Sequence, residues 1–179
     1  MLNYYYYLGN IGYIGYEIFK HLTNLAKYTG LIAYNDFHIF TIDENIAVSS
    51  LPKSSHESII KKFDVVIGFL GENEYGRSEL DWIANTSIKY YNIPVTDYTP
   101  PNNEDYLKLF RILDAHPDSK ILIHCYAGKG RSNCGVAAYL MNKNRLTASD
   151  AIKIVESKNP RSSMNRWQKA SLFELERIL

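Results

Sequence analysis

The chain has 179 residues, of which 46% are hydrophobic and 22% charged, and its formal net charge is +1. This length predicts one domain with a full core, and the near-neutral charge gives no sign of a polybasic surface for nucleic acid or an anionic membrane. The two cysteines, Cys125 and Cys134, are too few for a disulfide framework and lack the spacing of a zinc site. No apolar run is long enough to span a bilayer, and the aromatic N-terminus has no cation before Lys20, unlike a signal peptide.

Apolar periodicity and turn signals predict alternating helices and strands along the chain. The first elements are an amphipathic helix at 17–29, a hairpin of strands 37–42 and 46–48, a short helix running from a Ser54–Glu57 capping box to residue 63, and strands at 64–70 and 88–95. The later elements are a helix at 104–115 entered through Asn103, a strand at 120–124, and helices at 132–143, 147–158 and 165–179. This alternation predicts an α/β fold with a central, mostly parallel twisted sheet flanked by helices on both faces.

The chain is predicted to divide into a short extension and one larger domain. Residues 1–35 are expected to form an aromatic-rich helical extension packed on or next to the domain of residues 36–179. Three roles are open for this extension: it packs on the domain, it forms an oligomer contact, or it touches lipid.

The stretch ILIHCYAGKGRS, residues 121–132, joins a buried strand, a cysteine, two glycines and the start of a helix. Gly128 and Gly130 allow positive φ and a close approach of the backbone to a ligand. The backbone N–H groups of the loop can then point inward, and the following helix adds the positive end of its dipole. These groups would bind a tetrahedral anion and favour the thiolate form of Cys125, which makes this cysteine a candidate nucleophile.

Three side chains complete the predicted loop. Arg131 can grip two phosphoryl oxygens with its planar fork, Ser132 can donate to the cysteine sulfur, and His124 can fix the loop through hydrogen bonds to backbone. The positions expected to contact a bound phosphoryl group are Tyr126, Ala127, Gly128, Lys129, Gly130 and Arg131. A lone cysteine on a strand is usually a core residue and a lone arginine is usually solvated, but their combination favours a catalytic anion-binding loop.

The segment HCYAGKGRS resembles the HCxxGxxRS signature of the cysteine-dependent protein phosphatases, specifically the small dual specificity group. The segments NIAVSSLP, FDVVIGFL and IKYYNIPVTDYTPP lie where such domains place their counterparts, so the resemblance covers roughly residues 36–179. It implies a dual-specificity-phosphatase-like fold and a phosphocysteine intermediate. It also implies that no metal or cofactor is required, because the loop and Arg131 supply the positive charge.

The resemblance implies a general acid, and Asp97 is the expected one. It lies 28 residues before the cysteine, in the proline-stiffened segment PVTDYTPP, which resembles the family's mobile acid loop. An acid is needed because an alkoxide or phenoxide leaves poorly, and the resulting carboxylate can then activate water. The alternative is that Asp97 is only a turn residue before prolines; Asp105 is then the fallback acid, although it is more typical of a charge at a helix N-terminus.

Four further residues are candidates for supporting roles. Glu72 and Glu74 follow a strand in the segment GENEYG and are expected either to orient Arg131 or to lie in a solvated loop. Gln168 stands where related phosphatases can carry a water-positioning glutamine, although a helix-surface position is favoured. Cys134 is expected to be a small core residue, with a protective disulfide to the loop cysteine as the alternative.

The substrate is predicted less sharply than the reaction. Lys129 in AGKGR favours highly anionic substrates and resembles the loop of phosphoinositide phosphatases, but Tyr126 stands where those enzymes carry lysine. The same loop is similar to that of protein phosphatases, and GENEYG with an aromatic N-terminus is similar to mitochondrial phospholipid phosphatases. The leading interpretation is a dual specificity phosphatase acting on phosphotyrosine, phosphoserine and phosphothreonine proteins.

Several other classes of function are alternatives. A phosphoinositide or phospholipid phosphatase acting on an anionic phospholipid is the first, and an RNA 5′-triphosphatase is disfavoured by the near-neutral charge. The intact Cys125, Arg131, Ser132 and Asp97 disfavour a non-catalytic phosphate-binding module. The five residues between the cysteine and the arginine, together with Asp97, fit phosphoryl chemistry better than sulfur transfer. A reactive cysteine implies a reducing, cytoplasmic location, with peripheral membrane contact through the N-terminal segment as an option.

Overall fold

A computed structural model describes residues 37–75 and 78–179. The predicted extension at 1–35 and the predicted helix at 17–29 lie outside these residues. Within the described part of the chain, no helix is both long enough and apolar enough to cross a membrane.

The strands form a single sheet. They are β1 (Ile39–Thr41), β2 (Ile46–Ser49), β3 (Val65–Gly68), β4 (Lys89–Asn92) and β5 (Ile121–His124). Their order across the sheet is β1-β2-β5-β3-β4; β1 and β2 are an antiparallel hairpin, and all other neighbours are parallel. The Asp43 carboxylate fixes the hairpin turn because it accepts hydrogen bonds from the N–H groups of Asn45 and Ile46. The predicted mostly parallel sheet is confirmed.

The helices lie between and around these strands. They are α1 (Glu57–Ile60), α2 (Glu72–Tyr75), α3 (Asn103–Asp114), α4 (Arg131–Asn144), α5 (Ala148–Lys158) and α6 (Arg166–Glu176), with 3-10 segments at Ser54–His56 and Ser78–Asn85. The central helix is α4, which packs against α3, α5 and α6. Its residues from Arg131 to Met141 are all buried, so the helix that follows the glycine loop is fixed on all sides.

The two faces of the sheet carry separate apolar layers. Strands β2, β3 and β5 are buried along their whole length, as expected for strands covered on both sides. Ile67 and Ile123 belong to the apolar cluster shared with the long helices, whereas Val66 and Leu122 belong to a smaller cluster on the other face. Ile60 of α1 adds to that smaller cluster, which the short helical segments cover. The prediction of helices on both faces is therefore confirmed.

Two helix starts agree closely with the sequence. Thr147 caps α5 as predicted, because its hydroxyl accepts a hydrogen bond from the Asp150 N–H at 3.1 Å. Helix α3 is capped by Asn102 rather than Asn103: the Asn102 side chain accepts from the Asp105 N–H, and the Asp105 carboxylate accepts from the Asn102 N–H. Asp105 therefore has the helix N-terminal role that its position indicated.

Two short segments differ from what the sequence analysis describes. The Ser54–Glu57 capping box does not form, because a 3-10 turn precedes α1 and its N-cap is Lys53, whose N–H donates to His56 Nδ1 at 3.0 Å. No element was predicted between the strands at 64–70 and 88–95, and a solvated loop was one alternative for Glu72 and Glu74, but this segment contains α2 and the 3-10 segment Ser78–Asn85. Apolar periodicity is weak in such short turns, so their structure depends on contacts with the rest of the fold.

Candidate active site

Loops from three parallel strands meet at one edge of the sheet. The register pairs Gly68 with His124, so β3 and β5 end side by side. Cys125 follows β5 directly, Glu74 lies in α2 after β3, and Asp97 lies in the loop after β4. Three candidate residues that are far apart in sequence therefore reach the same edge, where ligands of this fold class bind.

Cys125 lies in the loop between β5 and α4 and is 2% exposed. Its Sγ is 3.3 Å from Ser132 Oγ and accepts a hydrogen bond from the Gly128 N–H at 3.2 Å. Ser132 is fully buried in the first turn of α4, at the positive end of the helix dipole. The Gly128 N–H and the Ser132 hydroxyl therefore both lie within hydrogen-bond distance of the sulfur, the atom expected to act as the nucleophile.

Gly128 has a left-handed backbone conformation, with φ of 67°. A Cβ at this position would lie 2.6 Å from both His38 Nε2 and the Ser50 backbone nitrogen. Both the backbone angle and the available space therefore require glycine here. The predicted reason for this glycine, a tight turn close to a ligand, agrees with its position beside the sulfur.

Backbone contacts tie both sides of the loop to neighbouring segments. The Tyr126 carbonyl accepts a hydrogen bond from the Leu51 N–H at 3.1 Å, and the Lys129 carbonyl accepts one from the Ser163 N–H at 2.7 Å. Ala127 is half-buried and the Lys129 side chain is exposed. Because its carbonyl groups are held from outside, the loop keeps its shape before a ligand binds.

Arg131 is 2% exposed and has fixed partners on both terminal nitrogens. Nη1 donates to Glu74 Oε2 at 2.6 Å and to the Val95 carbonyl at 2.9 Å. Nη2 donates to Glu74 Oε1 at 3.1 Å and lies 2.9 Å from Asp97 Oδ1. Glu74 thus holds the guanidinium in a bidentate pair, which orients it at the mouth of the loop.

The charge of Arg131 is secure despite its burial. Burial lowers the pKa of Arg131, but the hydrogen bonds from Glu74 and the negative charges of Cys125, Asp97 and Glu74 outweigh it and leave the pKa above its ordinary value. The guanidinium is therefore charged at every pH at which the protein is folded.

The segment carrying Asp97 is fixed against α6. The Asn165 side-chain amide donates to the Tyr98 carbonyl at 2.8 Å, and Gln168 Nε2 donates to the Thr99 carbonyl at 3.3 Å. Tyr98 has φ of 63°, an unfavourable angle for a residue with a side chain. The Asp97 side chain is 30% exposed, so this carboxylate faces both Arg131 and solvent.

His124 lies fully buried beneath the loop. Its Nδ1 is 3.3 Å from the Cys125 carbonyl and its Nε2 is 3.1 Å from the Tyr90 hydroxyl. Burial is the main cause that lowers the pKa of His124 from 6.5 to about 4, and the charge of Arg131 adds to it. The imidazole is therefore neutral at neutral pH and contacts the loop backbone, as the sequence predicted.

The neutral state of His124 predicts a specific acid sensitivity. The pKa is lower in the folded chain than in the unfolded chain, so the unfolded chain binds the proton first and stability is lost as pH falls from 6.5 toward 4. A shift of this size corresponds to about 3 kcal/mol in the free energy of unfolding. Urea unfolding at a series of pH values measures this slope, and a His124→Gln variant should show a shallower one. An unchanged slope in the variant would contradict the assignment.

The structure decides between the alternatives that the sequence analysis gave for the supporting candidates. Glu74 contacts Arg131, whereas the Glu72 side chain is exposed. Gln168 is not on a helix surface, as was favoured, but is 3% exposed, and a Cβ on Gly130 would come within 2.8 Å of its Oε1. Cys134 is fully buried in the core, as expected, and burial raises the pKa of its thiol.

Sequence reasoning missed two residues of this site, Asn133 and Asn159. Both are fully buried, and both side-chain amides donate to the Gly128 carbonyl at 3.1 Å. Asparagine is a poor residue for a helix interior, so Asn133 in the first turn of α4 carried a weak signal of a hydrogen-bonding role. Asn159 precedes a proline, and this pattern predicts only the end of a helix. No neighbouring residue in the sequence indicates a contact between Asn159 and the glycine loop.

Comparisons with known proteins agree with this geometry. The family model for the catalytic domain of dual specificity phosphatases matches residues 48–178. The chain is 27% identical over 143 residues to dual specificity protein phosphatase 1 of Arabidopsis thaliana, covering 77% of this chain and 69% of that protein. It is 26% identical over 162 residues to protein tyrosine phosphatase domain-containing protein 1 of Mus musculus. That match covers 77% of this chain but only 21% of the mouse protein, so the chain spans about a fifth of that relative.

Solved structures show the same fold. The crystal structure of Tk-PTP in the active form has a TM-score of 0.72 and 28% identity, covering 79% of this chain and 97% of that one. The crystal structure of PTPMT1 in complex with PI(5)P has a TM-score of 0.71 and 19% identity, covering 78% and 95%. At that identity the second likeness concerns the fold alone. The fold and the family predicted from the sequence are both confirmed.

Proposed function

The chain belongs to the dual specificity phosphatase family of cysteine-dependent phosphatases, and from this premise we propose that it hydrolyses phosphate monoesters of proteins through a phosphocysteine intermediate. The substrates are phosphotyrosine and phosphoserine or phosphothreonine side chains. The observation that carries the proposal is the position of Cys125 Sγ, 3.2 Å from the Gly128 N–H and 3.3 Å from Ser132 Oγ, in the loop that Arg131 closes.

In the first step the Cys125 thiolate attacks phosphorus. An S–P bond forms while the P–O bond to the leaving group breaks. The loop N–H groups and Arg131 stabilise the charge on the equatorial oxygens. Asp97 donates its proton to the leaving oxygen, so the alcohol or phenol departs uncharged.

In the second step water attacks the phosphocysteine. The Asp97 carboxylate takes a proton from the water, the S–P bond breaks, and inorganic phosphate and the thiolate are released. Ser132 donates a hydrogen bond to the departing sulfur, which supports its departure. The position of Gln168, against Gly130 and the Thr99 carbonyl, supports a role in placing this water.

Substrate binding requires Arg131 to change partners. A guanidinium has five N–H groups, and the four on Nη1 and Nη2 already point to Glu74, Val95 and Asp97. A phosphoryl group that binds through Nη2 and Nε therefore displaces Asp97, while Glu74 keeps its bidentate pair. The displaced Asp97 side chain faces solvent, from which it takes up the proton that the first step requires, and it is then available to the leaving oxygen.

Asp97→Asn is expected to lower kcat for a phosphoserine peptide by about 10²- to 10³-fold, because the leaving alkoxide is no longer protonated. The loss should be smaller for p-nitrophenyl phosphate, whose leaving group is a weak base. The decline of kcat at alkaline pH should also disappear, because that decline reports the loss of the acid proton. Steady-state rates on both substrates from pH 5 to 9 measure these effects.

Asp105→Asn is the matched control, since Asp105 is a carboxylate of the α3 cap that makes no contact with Arg131 in the described part of the chain. It should lower thermal stability slightly and leave the pH profile unchanged. Equal losses on both substrates in Asp97→Asn, with an unaltered pH profile, would remove Asp97 from the mechanism.

A phosphoinositide or phospholipid phosphatase is the second candidate. The exposed side chain of Lys129 on the loop favours it, because a second cation suits a highly anionic headgroup. The PTPMT1 structure in complex with PI(5)P shows that this fold accepts such a ligand in that protein. The protein substrate is preferred here because the Arabidopsis relative, at higher identity, is named a protein phosphatase.

Phosphate release from three substrates in parallel tests the function. A phosphotyrosine peptide, a phosphoserine peptide and a phosphatidylinositol phosphate in mixed micelles are compared at equal concentration, with Cys125→Ser as the blank. Peptide turnover supports the proposal, and a strong lipid preference supports the second candidate. Release no faster than the blank from all three substrates would contradict a phosphatase function.

The proposed location is a reducing compartment such as the cytoplasm, because the Cys125 thiolate must stay unoxidised to act. Peripheral membrane contact or oligomer formation through residues 1–35 belongs to the same set of proposals. Binding of the full chain to anionic vesicles, and its mass in solution, measure these two properties.

A further inference from the structure

The Gly128 carbonyl accepts two buried hydrogen bonds, an arrangement that the two-step mechanism does not use. Asn133 Nδ2 and Asn159 Nδ2 each donate to this oxygen at 3.1 Å. Asn159 Nδ2 also donates to Asn133 Oδ1 at 2.8 Å, so the two amides are joined to each other. We refer to Asn133, Asn159 and the Gly128 carbonyl as the asparagine clamp.

The clamp is itself held in place. Asn159 Oδ1 accepts a hydrogen bond from the Arg161 N–H at 3.0 Å, and the Asn159 N–H donates to the Val155 carbonyl at the end of α5 at 2.8 Å. The side-chain amide and the backbone amide of Asn159 are therefore each oriented by a backbone partner. Asn133 and Asn159 are fully buried, so water does not compete for these hydrogen bonds.

The clamp determines which way one peptide unit of the loop faces. In a trans peptide the C=O and the N–H point in opposite directions, and the described residues contain no cis peptide. A Gly128 carbonyl held toward the two asparagines therefore turns the Lys129 N–H to the opposite side of the peptide, away from them. On the other side of Gly128, its own N–H already donates to Cys125 Sγ.

Reversal of this peptide would be costly. Glycine readily adopts several backbone conformations, so Gly128 by itself does not prevent the peptide from flipping. A flip would leave two buried amide donors without their acceptor, and both lone pairs of the carbonyl are now in use. The asparagines supply the rigidity that the glycine lacks.

We propose that Asn133 and Asn159 are positioning residues that keep the Lys129 N–H directed at the phosphoryl oxygens, so that α5 takes part in phosphate binding through the residue that caps its C-terminus. This inference rests on the proposed phosphatase function. It assigns a role to a residue 34 positions after Cys125, outside the loop motif. The expected consequence is a weaker hold on the equatorial oxygens of the transition state when the clamp is broken.

The test uses the full chain and orthovanadate, which is tetrahedral in solution and becomes trigonal bipyramidal when the cysteine sulfur coordinates it, a geometry that resembles the transferring phosphoryl group. Asn159→Leu removes both donors at similar volume and is expected to lower kcat/KM for p-nitrophenyl phosphate about tenfold, with a matching rise in the vanadate inhibition constant. Thr147→Ala is the matched control, because it removes the cap at the opposite end of the same helix. It should lower the melting temperature and leave kcat/KM and vanadate inhibition unchanged.

Asn159→Asp keeps the size of the side chain and changes its ability to donate a hydrogen bond, so it separates the effect of the hydrogen bond from the effect of packing. It also tests the proposal if Asn159→Leu fails to fold. At neutral pH its carboxylate would face two oxygens, the Gly128 carbonyl and Asn133 Oδ1, and activity relative to the wild type should be low. As pH falls the carboxyl group gains a proton and can donate again, so the relative activity should rise. Activity is expressed per folded protein at each pH, so that a purely structural role would leave this ratio independent of pH.

The outcomes distinguish the clamp from the function itself. An active wild type with vanadate inhibition unchanged in Asn159→Leu, or with a ratio for Asn159→Asp that does not vary with pH, would overturn the clamp. Equal losses in Asn159→Leu and Thr147→Ala would overturn it as well, since general destabilisation then explains both. An inactive wild type would overturn the proposed function instead.

Discussion

Cys125→Ser is expected to lower phosphate release by about 10⁴-fold or more, the largest effect of any single substitution in this chain. A serine hydroxyl stays protonated at neutral pH, so no strong nucleophile stands beside the phosphorus. The loop N–H groups, Arg131 and Ser132 remain, so substrate should still bind. Stopped assays with a phosphotyrosine peptide, together with a binding measurement on the same variant, separate the two effects.

Cys134→Ala provides the matched control, because it removes the other cysteine of the chain from a fully buried position in α4. It should cost some stability through the small cavity that it leaves, and the activity of the folded fraction should be retained. If Cys125→Ser kept an appreciable share of the wild-type rate, the reaction would not proceed through a phosphocysteine.

Arg131→Lys is expected to lower kcat by about 10³-fold, the second largest effect. The guanidinium spans two oxygens of Glu74, the Val95 carbonyl and Asp97, and it must also reach the phosphoryl group. A lysine ammonium is a single point with three donors, so it cannot keep the bidentate pair and bind the equatorial oxygens together. The loss should fall mainly on kcat, because this charge is needed most in the transition state.

Arg111→Lys is the control for this substitution, since Arg111 lies on the exposed side of α3, where Nε donates to the Leu107 carbonyl. Its kinetic constants should equal those of the wild type. A wild-type kcat in Arg131→Lys would show that the fork geometry around Glu74 has no catalytic role.

The predicted fold followed from local patterns that the structure confirms. The buried strand at 120–124, the glycine loop and the helix after Arg131 form one continuous segment, and the structure reproduces them within one or two residues. The cysteine, the arginine and the serine were identified as candidates because they lie together in that segment, although the Arg131 guanidinium makes its contacts outside it. Asp97 was found because prolines and a preceding strand mark the end of β4.

Contacts between distant segments were predicted less well. The sequence offered Glu72 and Glu74 equally, and only the helical turn of α2 decides that Glu74 pairs with Arg131 and Glu72 points to solvent. Gln168 was favoured as a surface residue because its own helix gives no sign that the acid loop covers it. Burial at such a position depends on which segment packs over it, and no pattern within α6 contains that information.

The sequence by itself determined the family, the order of strands and helices, and the segment that carries the candidate nucleophile, because these depend on periodicity and on neighbours along the chain. The tertiary structure alone decided which carboxylates hold the guanidinium of Arg131 and which amides hold the Gly128 carbonyl. Glu74 and Asn159 lie 57 and 31 residues from those partners. The physical reason is that parallel strands and their crossover helices bring separate loops to one edge of the sheet, and side-chain hydrogen bonds across that edge leave no periodic trace in the sequence.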